Sequence, residues 1–222
     1  MTEESAKRAT ESAPAHPNLI TRARARFARL VAAGVATGGQ PLLAVVIPMA
    51  GGAGNLAAQL QYEIHRSLRG VPAPDAWPHI SIKLGFVAPD PERIAACLDE
   101  IGRSTEPFEI VLGGCDSFDE GILFIDVAKC DALETLRQRV LRDLDARFGI
   151  GRHPIEDQRF RFHVTLAHGM RGRTFAAAKA EFLARPFDQR FPARHLELLC
   201  HAGSHWITMA RIPLGPANTL PQ

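Results

Sequence analysis

The sequence predicts an α+β fold of two similar lobes related by an approximate twofold axis. Three observations carry this. Strand-like and helix-like segments alternate from residue 41 onward, and the same order recurs about 80 residues later. Each copy also places, on its second strand, a histidine two residues ahead of a hydroxyl side chain.

The elements follow in order. Residues 1–17 are polar, contain Pro14 and Pro17, and are expected to form a disordered tail. From Asn18, a candidate N-cap, residues 19–36 have helical composition with Arg22, Arg24, Arg26 and Arg29, and end near Gly38-Gly39, so that 18–39 reads as a basic helical extension. Its arginines read as a solvated face, with an acidic or nucleic-acid partner for 18–36 as the alternative. The two-lobed body spans 41–213. Its first strand is the apolar run 42–47, bounded by Gly and Pro as a buried strand should be. A helix over 55–69 puts Leu56, Leu60, Ile64 and Leu68 on one face. Residues 77–84 alternate as a strand, 89–103 read as a helix and 107–112 as a strand. The second copy supplies a strand at 122–127, a helix at 131–148, an alternating strand at 160–167 and a helix at 174–184. Pro186-Phe187 then opens a segment like Pro107-Phe108, and a hairpin of 195–201 and 205–213 turns around Gly203. Residues 214–222 are left as a C-terminal tail.

Composition narrows the function classes. Hydrophobic residues make up 46% of the 222 and charged residues 23%, the balance of an ordinary globular protein. A net charge of +2 is too small to mark a nucleic-acid coat protein. Cys97, Cys115, Cys130 and Cys200 form no C-x-x-C pair and read as reduced packing residues. No segment reaches the roughly 18 apolar residues of a membrane span, and the amino terminus has no apolar signal core. The chain reads as cytoplasmic, without a membrane partner.

The chemistry gathers at His79-Ile80-Ser81-Ile82 and His163-Val164-Thr165-Leu166. Side chains two apart on a strand share a face, so each histidine stands beside its hydroxyl while Ile80, Ile82, Val164 and Leu166 turn to the core. If the lobes are related by a twofold axis, one cleft holds two imidazoles and two hydroxyls. Such a set can act on a phosphodiester. One neutral imidazole takes a proton, the other, protonated, gives one to the leaving oxygen, and the hydroxyls hold the non-bridging oxygens.

These two tetrapeptides resemble the hallmark of the two-histidine (2H) phosphoesterases, and the surrounding sequence is similar to their bacterial 2'-5' RNA ligase or RNA 2',3'-cyclic phosphodiesterase group. The resemblance covers residues 41–213 and includes a lysine after the first motif, here Lys83. It implies a bilobal α+β fold of two antiparallel or mixed sheets, with helices outside and a central cleft. It further implies metal-independent hydrolysis of an RNA or nucleotide 2',3'-cyclic phosphate to a 2'-phosphate, with reversible 2'-5' ligation in some members, and no cofactor. In place of the basic residue common after the second motif, this chain has Ala167-His168-Gly169.

On this reading His79 and His163 are catalytic and Ser81 and Thr165 bind phosphate. Alternation also points Lys83, Arg161 and Trp77 toward the cleft. The first two would neutralise phosphate or form rim salt bridges; Trp77 would stack a base or pack the lobe. His168 is a candidate helper, whereas His65 and His153 read as surface residues. His195, Cys200, His201 and His205 match no zinc spacing, and alternation separates Cys200 from His201. The alternatives are a nucleotide- or RNA-binding module of the same fold with little turnover, or an enzyme for cyclic or 2'-5'-linked oligonucleotides or ADP-ribose 1'',2''-cyclic phosphate.

Overall fold

The computed structural model describes residues 41–118, 121–156 and 160–216. The proposed tail of 1–17, the basic extension of 18–39 and residues 217–222 lie outside them. Among the described residues the order is β1 (Leu42–Pro48), α1 (Gly51–Ser67), β2 (His79–Val87), α2 (Pro91–Arg103), β3 (Phe108–Phe118), β4 (Ile122–Val127), α3 (Asp131–Phe148), β5 (His163–Ala167), α4 (Gly172–Phe182), β6 (Gln189–Ala193), β7 (His195–His201) and β8 (Trp206–Pro213). No helix here is long and apolar enough to cross a membrane.

The local reasons for these elements are ordinary ones. Asp90 caps α2 by accepting from the Arg93 N–H at 3.1 Å, and Pro91 follows where a missing N–H costs nothing. Gly149, at φ 67°, ends α3 in the left-handed conformation that glycine adopts without strain. β1 is buried on both faces: Leu43, Val45 and Ile47 join the main core, and Ala44 and Val46 pack with Leu199 on the opposite side. α1 differs from the expected stripe. Its buried face is Ala53, Gly54, Ala57, Leu60, Gln61 and Ile64, and Leu56 is 46% exposed. The smaller residues permit close approach, since a Cβ on Gly54 would lie 2.8 Å from the Met49 carbonyl oxygen.

All strand pairs are antiparallel, and the sheet order is β6-β3-β4-β5-β2-β1-β7-β8. The two expected sheets are therefore two four-stranded halves of one sheet, joined where β2 meets β5 through the single register pair Ile80↔Val164. Each half contains strands of both sequence copies. β3, the last strand of the first copy, pairs with β4, while β7 pairs with β1. The twofold counterpart of β3 is thus β7 and not β6, which lies beside β3 itself. The helices cross in the same way: α1 packs on β5 and β6, α3 on β2, and α2 on β7 and β8. The described start of the expected C-terminal tail is anchored, as Leu214 N donates to Arg194 and Gly215 N to Gly102.

Candidate active site

The seam between the halves builds the site. Ile80 and Val164 are register partners and fully buried, so the residues flanking them turn to the other face of the sheet. In an antiparallel ladder running from that pair, His79 falls toward Thr165 and Ser81 toward His163. All four line one cavity of about 240 Å³. The apolar partners Ile80, Ile82, Val164 and Leu166 are buried in the main core. The two histidines lie diagonally across the seam, with Cα atoms on the order of 7–8 Å apart in a regular ladder.

Both rings are held in the same way. His79 Nδ1 lies 2.7 Å from the Trp77 carbonyl oxygen, and His163 Nδ1 lies 2.8 Å from that of Arg161. A carbonyl oxygen only accepts, so each Nδ1 carries its hydrogen and Nε2 is the basic nitrogen of the neutral ring. Burial in this largely apolar cavity pushes the His79 imidazole below its usual range. The Trp77 carbonyl and the nearby Asp75 and Glu197 carboxylates oppose that shift.

Arg161 and His168 also line the cavity. The Arg161 guanidinium lies over the Phe124 ring at 4.9 Å and bridges Asp126 (2.9 Å) and Asp116 (2.8 Å), so its charge is already shared between two carboxylates. Of its two expected roles the structure displays the salt-bridged one, at the cavity wall. His168 also lines a smaller annex of about 40 Å³, shared with Asp75, His79 and Thr165.

Lys83 and Trp77 are not among the lining residues. The β1–β2 register slips twice, so β2 carries extra residues opposite Val45 and Val46, and strict alternation ends after Ile82. Lys83 turns inward, is 2% exposed and meets Glu156 at 2.6 Å. Leu84 and Gly85 reach the cavity instead. Trp77 is 51% exposed and anchored through Nε1 to the Met49 carbonyl oxygen at 3.0 Å. The tryptophan in the cavity is Trp206, whose backbone N–H binds the Asp75 carbonyl oxygen at 2.9 Å. Phe118 and Phe160, in the same half as His163 and opposite Trp206, flank its ring. Sequence reasoning missed these aromatics because nothing local signals that β7 lies beside β1, which brings Trp206 across the sheet.

The remaining histidines are dispersed. His195 lies 3.8 Å from Glu197, His201 stands edge-on to Trp206, and His205 contacts Ser204. His65 is half-buried with Nδ1 2.9 Å from the Val71 carbonyl oxygen, and His153 is half-buried, not a surface residue. Among the described residues no group of three or more His, Cys, Asp or Glu side chains is placed to hold a metal ion. Cys97 is buried and the other three cysteines are half-buried, all as free thiols.

The profile of the 2'-5' RNA ligase superfamily matches residues 53–205, a span that contains both motifs. Among solved structures, TT0787 of Thermus thermophilus is similar with a TM-score of 0.61 and 17% identity, over 80% of this chain and 100% of that one. Escherichia coli LigT gives 0.57 and 16%, over 79% and 98% of the two chains. The MHV ns2 PDE domain gives 0.52 and 20%, over 72% and 99%. At these identities the likenesses establish the fold. No curated protein sequence is significantly similar.

Proposed function

Because the chain belongs to the 2'-5' RNA ligase superfamily of 2H phosphoesterases, whose chemistry is at phosphodiester bonds, we propose that it opens 2',3'-cyclic phosphates of RNA or nucleotides. The product is a 2'-phosphate, and His79 and His163 act as proton-transfer groups without a metal.

One observation carries this reading: two histidines from the two sequence copies line one cavity, each with Nδ1 committed to a backbone carbonyl. Binding alone requires no such matched pair. In the proposed step water attacks phosphorus and loses its proton to one Nε2. The P–O3' bond breaks, and the other imidazolium protonates the departing 3'-oxygen. Both rings are held alike through Nδ1, so each presents Nε2 to the cavity, and the direction of reaction decides which of the two takes the proton and which gives it. Ser81 and Thr165 donate to the non-bridging oxygens as charge grows there. An RNA 5'-hydroxyl in place of water would give a 2'-5' linkage by the same transfers. The aromatic walls at Trp206, Phe118 and Phe160 suit a nucleobase, and LigT, of similar fold, has been crystallised with 3'-AMP.

The test is an assay of purified protein against 2',3'-cyclic nucleotides, 2'-5' dinucleotides and cyclic oligonucleotides, with product regiochemistry assigned. The expected product is the 2'-phosphomonoester. Saturable binding of every substrate with no turnover would favour the binding module.

A further inference from the structure

Glu156 is fully buried in the connection between α3 and β5, and the catalytic scheme above makes no use of it. Its carboxylate accepts from three donors. Lys83 Nζ and the His153 N–H reach Oε2 at 2.6 and 2.7 Å, and the Leu84 N–H reaches Oε1 at 2.6 Å. Its backbone carbonyl also accepts from Arg137 Nη2 at 3.2 Å. One side chain therefore fastens the α3–β5 connection to β2, just past the His79 motif.

A buried ion pair is a poor stabiliser compared with well-packed apolar residues, so packing alone gives no reason for charges here. The pair supplies direction instead. Leu84 lines the cavity on the β2 side, and Ile155, adjacent to Glu156, lines it on the connection side. The two oxygens of Glu156, lying behind this wall, fix how its halves meet. The wall is apolar, whereas the phosphate belongs between the imidazoles and hydroxyls, so it faces the organic part of a substrate.

We propose that Glu156, held by Lys83, is a positioning residue that sets the Leu84–Ile155 wall against the ribose and base, giving preference for a nucleoside cyclic phosphate over a bare one. This rests on the hydrolase reading and adds to it a residue that acts on the substrate through the cavity wall. It also gives Lys83 a role other than phosphate contact.

The experiment compares kcat/KM for 2',3'-cyclic AMP with that for ethylene phosphate, a five-membered cyclic diester with neither ribose nor base. The proteins are wild type, Glu156→Gln and the double variant Lys83→Met/Glu156→Gln, which removes both charges and leaves no lone buried ion. The nucleotide-to-ethylene-phosphate ratio is expected to fall about tenfold or more in both variants, chiefly through the nucleotide KM, as for a displaced substrate-positioning wall. Parallel losses on both esters, or an unchanged ratio, would overturn the inference alone. If wild type turns over neither ester, the hydrolase reading fails and this inference with it.

Discussion

Ile80 and Val164, the apolar residues between histidine and hydroxyl in the two copies, are register partners at the single point where β2 meets β5. The pseudo-twofold axis passes through that pair, and this makes the two motifs one site. Neither imidazole belongs to the core, so His79→Ala and His163→Ala should each lower turnover of a 2',3'-cyclic nucleotide by about 10²- to 10⁴-fold and leave the melting temperature nearly unchanged. Steady-state kinetics beside thermal melts checks this. A variant that melts like wild type and retains full activity removes its histidine from the mechanism.

The crossed register sets each hydroxyl toward the histidine of the other copy. Ser81→Ala and Thr165→Ala should therefore weaken phosphate binding and turnover, by about 10- to 100-fold each, the worth of a hydrogen bond to a charged group. Their effects should be milder than those of the histidine variants. Wild-type kinetics in both would deny the hydroxyls this part.

Stability should fall as the medium is acidified below about pH 6.5. Burial lowers the imidazole values of His79, His153 and His195. The unfolded chain then takes up protons near pH 6.5 that the folded chain still refuses. The contribution is complete above the unfolded value and is lost as pH falls through it toward the folded values. Asp116 and Glu63, whose values are also lowered, act only in the carboxylate range. Melting at pH 7.5 and 5.5 checks the sign, and an unchanged or higher midpoint at pH 5.5 contradicts it.

Chelation should leave the rate unchanged if the two imidazoles carry the proton transfers alone. The measurement is turnover before and after EDTA, and loss of activity that zinc restores would replace the metal-free scheme.

Much of this was legible in local pattern. The bounds of β4 and α3 agree with the periodicity of 122–127 and 131–148, whereas the motif strands, at 79–87 and 163–167, only overlap the expected 77–84 and 160–167 and keep the alternation around the histidines. What pattern could not supply was phase and partnership. Lys83 lies i+4 from His79 and would face the cavity in a regular strand, but the slipped register against Val45 and Val46 turns it to Glu156, 73 residues away. Likewise, the sequence points to Trp77 as the stacking residue, and Trp206 reaches the cavity only because β7 and β8 lie beside β1. The likeness of Pro186-Phe187 to Pro107-Phe108 misled about topology, since β3 and β6 are neighbours and not symmetry mates. Long-range pairing decides these points, and no short window of sequence records it.

Gln61 offers a test of how the first copy holds the second. From the buried face of α1 its Nε2 donates to the Thr165 carbonyl oxygen at 2.9 Å, tying a helix that follows β1 to a motif strand of the other half. Gln61→Leu removes the donor and should cost about 1–3 kcal/mol, the usual penalty for depriving a buried polar group of its partner. Gln61→Glu is more telling. An ionised carboxylate cannot donate and would face the carbonyl with like partial charge, whereas the protonated acid can donate as the amide does. The deficit in melting temperature relative to wild type at the same pH should thus be large at pH 7.5 and shrink as the new carboxyl protonates. A deficit independent of pH would mean that the donated hydrogen bond does not hold β5 in place.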